Sequence, residues 1–212
     1  MSFILDHIGL ISFFVVFSLC YIVARGISIN NKAMSDRKNS FWNRELEANS
    51  VRRKDISGLD YIVFPSHLPL DSLINIGRKD LADEFQTFSD KKIINLSGYS
   101  NTDLKLMYGP ANLNDLSSYD ENFTSFIRLL NNIGNALLDA DTTDDTATRQ
   151  FLEYSVSIGS DISATYINLA ELYIKHDEDD KLNDLINKAE SLTSLSGPVI
   201  VTKLNNIKLQ SK

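Results

Sequence analysis

Three histidines, one cysteine and two acidic runs are the residues of this 212-residue chain whose types suit chemistry. His7, His67 and His176 stand far apart, and none lies in an HExxH pattern or beside Cys20, so no set of metal ligands has the spacing it needs. Asp139, Asp141, Asp144 and Asp145 carry oxygens suited to calcium. The run lacks the central Gly of a calcium loop, however, and Gln150 holds the place of its closing Glu. It reads as a solvated turn. Asp177-Glu-Asp-Asp180 reads likewise, since acidic residues are favoured at the positive end of a helix. There is no Gly-rich phosphate loop, no G-x-S-x-G turn and no cysteine in a polar segment. No catalytic residue, metal site or cofactor is expected. Residues 55–112 hold His67, Tyr99 and several carboxylates, and an enzyme acting through them is a further reading, but no constellation there meets the geometric roles of a site.

The N-terminal region carries a different signal. Ile8 to Ala24 is an apolar run of 17 residues without a charge, near the lower limit of about 17–25 for a spanning helix. A cleaved secretory signal would need a positive n-region and a small-x-small site. Here Asp6 precedes the run and Ala24-Arg25-Gly26 follows it, so an uncleaved anchor over residues 1–25 is expected. Eight cations follow within residues 25–54: Arg25, Lys32, Arg37, Lys38, Arg44, Arg52, Arg53 and Lys54. Against Asp36, Glu45 and Glu47 they leave that stretch at +5. Positive flanks stay cytoplasmic. The reading is a single-pass bacterial plasma-membrane protein, with its N-terminus outside and its C-terminal domain in the cytoplasm. Arg25, Lys32, Arg37, Lys38, Arg52, Arg53 and Lys54 would face anionic lipid headgroups. Residues 55–212 hold 13 Lys and Arg against 24 Asp and Glu, a net −11 that disfavours nucleic acid as a partner.

The elements behind these charges are mainly helical. Within the basic stretch 26–54, residues 26–40 read as a linker or a frayed extension of the anchor helix, and 41–53 as a short helix with Phe41, Trp42, Leu46 and Val51 on its apolar side. Residues 55–112 are mixed and irregular. Tyr61 to Phe64 suits an edge strand or an extended stretch, and Lys92 to Leu96 suits a strand or a helix. Leu73 to Ile76 and Asp80 to Phe88 suggest short helices, and Gly109-Pro110 is a break. Residues 113–212 form the helical domain. Ser118-Tyr-Asp-Glu121 has the form of a capping box. Phe123, Phe126, Ile127, Leu130, Ile133 and Leu137 follow at helical spacing. Further helices carry Phe151 and Tyr154; Tyr166, Leu169, Ala170 and Tyr173; Leu182, Leu185, Ile186 and Ala189; and Val201, Leu204 and Ile207. Asp161 and Asp177 are placed to cap two of them, and Gly197-Pro198 opens the last.

A shift of 36 residues lays the third and fourth of these helices over the first and second, with Gly134 over Ala170. Tyr166-Ile-Asn-Leu169-Ala170-Glu-Leu-Tyr173 resembles the first helix of a tetratricopeptide repeat, a unit of about 34 residues. Leu182, Ile186 and Ala189 fall at its second-helix places, so residues 118–195 are similar to two such units, without the family's terminal Pro. The resemblance implies a partner peptide held on the face lined by the first helix of each pair. Its outward residues here are Arg128, Asn131, Asn135, Ala164, Ile167, Asn168 and Glu171. Asn135 and Asn168 match the family's peptide-gripping Asn places, while Asn131 and Ala164 stand where basic residues grip a C-terminal carboxylate. The function this implies is a membrane-anchored scaffold with another protein or peptide as partner and no catalytic activity. The alternative is an accessory subunit of a membrane complex that uses the span as its interface.

Overall fold

The computed structural model describes residues 2–140 and 145–211, with side chains from Val16 onward, Ala33 excepted. Its helices are α1 (Ser2–Ser50), α2 (Leu70–Asn75), α3 (Lys79–Gln86), α4 (Asn101–Tyr108), α5 (Leu113–Asp139), α6 (Thr146–Ser157), α7 (Ser163–Lys175), α8 (Asp179–Glu190) and α9 (Gly197–Gln210). A single 3₁₀ turn, Pro110–Asn112, leads into α5. No strand occurs among the described residues. The chain is therefore all-α, as the 3.6-residue periodicity predicts.

The membrane span does not stand. Among the described residues no helix is long and apolar enough to cross a membrane. The part of the apolar run with described side chains, Val16 to Ala24, makes about 14 Å of helix against a hydrocarbon core of about 30 Å. The rest of the run, Ile8 to Val15, lies outside the residues whose side chains are described. The expected single-pass plasma-membrane location, with its N-terminus outside, falls with the span. Of the two readings of residues 26–40, the extension of the N-terminal helix holds and the linker does not, so no separate short helix begins at 41. α1 runs unbroken to Ser50, and Phe41, Trp42 and Leu46 are exposed rather than packed. The reason is where α1 meets the body. Arg44 and Glu45, in its last two turns, bond to α4, and Ala48 close by is buried.

Three apolar clusters hold the body together, and α5 runs through two of them. Near its start, Leu116 packs with Ile56, Ile94, Leu96 and Leu104. Farther along, Phe123, Phe126, Ile127, Leu130 and Ile133 meet Phe85 and Phe88 of the α3 region and Phe151 of α6. The third cluster joins α6, α7, α8 and α9 around Leu152, Tyr166, Leu169, Leu182 and Leu204. Gly134 lets α6 come close, since a Cβ there would stand 2.5 Å from Cδ2 of Leu152. The turns between these helices are short, so neighbours alternate in direction. This brings α5 against α7 and α7 against α9, an arrangement compatible with a helical repeat.

Several local expectations change. Ser118 does not start a helix. Gly109-Pro110 supplies the break, and the apolar face begins a turn earlier, at the fully buried Leu116. Asp161 and Asp177 are not the N-caps: Ile162 precedes α7 and Glu178 precedes α8, neither with a side-chain cap bond, and Asp177 sits at φ 54°. The stretches 60–64 and 92–96 are extended but not paired as strands. One backbone bond, Ile62 N to Ile93 O at 2.9 Å, joins them. A single bond is no ladder, and Ile93, Ile94 and Leu96 are all buried, so neither face is left to solvent.

Candidate functional site

The residues expected to line the partner face come together on α5 and α7. Arg128, Asn131 and Asn135 lie at helical spacing on α5, and Ile167, Asn168 and Glu171 do so on α7. Arg128 and Glu171 are exposed, and the other four are half-buried. The amides reach across the two helices. Asn168 Nδ2 donates to Asn135 Oδ1 at 2.7 Å, and Thr165 Oγ1 donates to Asn131 Oδ1 at 3.2 Å. The bonded residues are 33 and 34 positions apart in the chain.

The Asn135–Asn168 bond leaves capacity unspent. A side-chain amide has two N–H donors and a carbonyl with two lone pairs. Among the described residues, the Asn135 amide nitrogen and the Asn168 carbonyl take no other partner. The pair therefore offers donors and an acceptor to a ligand. Next to it, a hollow of about 200 Å³ is lined by Leu137, Asn168, Glu171, Leu172, Asp145 and Lys175.

The helix ends beside this face are locked by charge. Asp145 Oδ2 accepts from Lys175 Nζ at 2.6 Å and lies 3.2 Å from His176 Nε2. Lys175, and to a lesser degree His176, hold the Asp145 carboxyl below the usual range. On the far side of α7, Arg149 pairs with Glu153 and Glu178, and Tyr173 donates its hydroxyl to Glu153 at 3.0 Å. Burial, and then the Glu153 carboxylate, push the Tyr173 hydroxyl up. Sequence reasoning did not find this clamp. The Arg149/Glu153 spacing of i,i+4 was its one visible signal. Thr165, fully buried and bonded to Asn131, gave no signal at all.

The residues weighed for metal chemistry stay apart. His67 is exposed, with its ring 6.2 Å from that of Tyr154. His176 serves the Asp145 pair. Asp141 and Asp144 lie outside the described residues. Among the described residues no group of three His, Cys, Asp or Glu is placed to hold a metal. The basic residues are divided. Arg25, Lys32, Arg37 and Lys38 are spread along exposed α1, where Arg25 bonds the Tyr21 hydroxyl at 3.3 Å. Arg52, Arg53 and Lys54 follow the helix and meet the body, where Arg53 Nε donates to Asn112 Oδ1 at 2.9 Å. Compared with known proteins, the chain matches no family model, no curated protein and no solved structure.

Proposed function

We propose that this chain is a non-catalytic protein–protein interaction module of tetratricopeptide-like architecture, whose α5/α7 face holds an extended segment of a partner protein. The observation that carries the reading is the Asn135–Asn168 pair. Its unspent donors and acceptor match the alternating carbonyls and N–H groups of an extended backbone. The stacking of α5 on α7 through two cross-helix side-chain bonds supports a repeat, because the first helices of successive pairs must lie side by side to line one face. The acidic balance of residues 55–212 favours protein over nucleic acid as the partner.

Peptides selected from a random library displayed on phage test this directly. Asn135→Ala combined with Asn168→Ala should weaken the selected peptides by about tenfold or more, since about two hydrogen bonds of roughly 1 kcal/mol each are removed. Circular dichroism and the melting temperature control for the fold. Unchanged affinity in the folded double variant removes the face from consideration.

A further inference from the structure

A cleft of about 710 Å³ lies away from the α5/α7 face. It opens where the extended stretches 59–63 and 94–97 meet the α6–α7 turn and the α8–α9 turn. We propose that this cleft is a second binding site, one that takes a basic peptide segment, its Lys or Arg side chains received by Asp60, Asp161 and the rings of Tyr61, Tyr99 and Tyr108.

Charge is the first argument. Asp60 and Asp161 line the cleft, and no Lys, Arg or His does. Neither aspartate forms an ion pair among the described residues, so both charges remain available. The net −11 of residues 55–212 attracts a basic partner from a distance. The aromatic lining is the second argument. A cation is drawn to the face of a tyrosine ring within about 6 Å of its centroid. The cleft wall already shows this behaviour: the ammonium of Lys92, which does not itself line the cleft, stands 5.3 Å from the Tyr61 centroid. Tyr99, half exposed, has its ring open to a second cation.

The walls favour a peptide over a bare ion. No set of metal ligands is present there, and Val63 at the opening is 84% exposed. Apolar surface beside acidic groups suits the aliphatic stem and charged head of a long basic side chain. The walls are also formed in advance. Ile62 N bonds Ile93 O at 2.9 Å, and the Tyr154 hydroxyl bonds Val63 O at 3.1 Å. No α5 residue lines the cleft, so the site is separate from the face proposed above.

Fluorescence anisotropy on the full chain tests the site, with a labelled peptide of alternating Arg and Gly as probe and alternating Glu and Gly as control. The Arg peptide should bind and the Glu peptide should not. Asp60→Asn with Asp161→Asn should weaken the Arg peptide by about tenfold, and Tyr99→Ala should weaken it as well. Asp179→Asn with Asp180→Asn removes the same charge from the exposed start of α8 and should change affinity less than about twofold. No binding to the unaltered chain overturns the proposal. Equal losses in the two aspartate pairs also overturn it, because they would mean attraction to the acidic surface in general. A loss in the Asn135/Asn168 variant matching that of the cleft variant would place the peptide on the α5/α7 face and overturn the second site alone.

Discussion

Asn112 is fully buried and spends its amide on the crossing of two chain segments. Its Nδ2 donates to Lys54 O and Tyr108 O, both at 2.7 Å, and its Oδ1 accepts from Arg53 Nε. Beside it, Gly109 sits at φ 88°, and a Cβ there would stand 2.6 Å from Arg52 O. The two residues let the end of α1 lie against the end of α4 at a distance no larger residue permits. Replacing Asn112 by Leu keeps the volume similar but takes the donor from Lys54 O and leaves Tyr108 O with the Lys54 N–H alone. An orphaned buried acceptor costs about 1–3 kcal/mol. Asn112→Leu should therefore lower the unfolding free energy by about 2 kcal/mol or more, read as a shifted urea midpoint at unchanged slope. A midpoint equal to that of the unaltered chain would show that Asn112 does not pin the crossing.

At the scale of elements, α1 is the unusual one. Its exposed length projects from the body, and its docking end is mostly polar. Arg44 pairs with Asp103, and Glu45 accepts from Lys105 and from Thr102 Oγ1. Ala48, on the same end of the helix, is fully buried. Ala48→Arg should push the end of α1 away from α4 and leave α5 to α9 as they are. Amide hydrogen exchange should then quicken over Asn101–Tyr108 and not over Leu113–Asp139; unchanged exchange in α4 would remove this docking mode. The apolar faces of the helices themselves were legible in the sequence. Phe123, Phe126, Ile127, Leu130, Ile133 and Leu137 are all buried as their spacing predicts. Helix starts were less so. A Ser-x-x-Glu pattern within a helix cannot be told from one at its end, and Asp120 of that pattern instead accepts from Leu96 N at 2.9 Å.

At the scale of the molecule, charge links distant parts of the chain, and acid should loosen them together. Glu45 is held below the usual carboxyl range chiefly by Lys105, Asp103 by Ser100 and Asp145 by Lys175. A carboxyl whose folded value is lowered binds fewer protons than its unfolded counterpart. Its contribution is therefore complete above the ordinary carboxyl range and is lost as pH falls through the folded value. Melting temperature should stay nearly level from neutral pH down to about pH 5 and fall below about pH 4. A fall centred near pH 6 would overturn this account. The sequence by itself determined the helical class, the faces of α5 to α9 and the separation of a basic stretch from an acidic body. These follow from local spacing and from summed charge, which need no knowledge of contacts. Only the tertiary structure decided that Asn135 meets Asn168, that Thr165 meets Asn131, that Asn112 pins the end of α1, and that two extended stretches wall a cleft. Each of these depends on residues far apart in the chain arriving within hydrogen-bond reach, and neither periodicity nor composition specifies that distance.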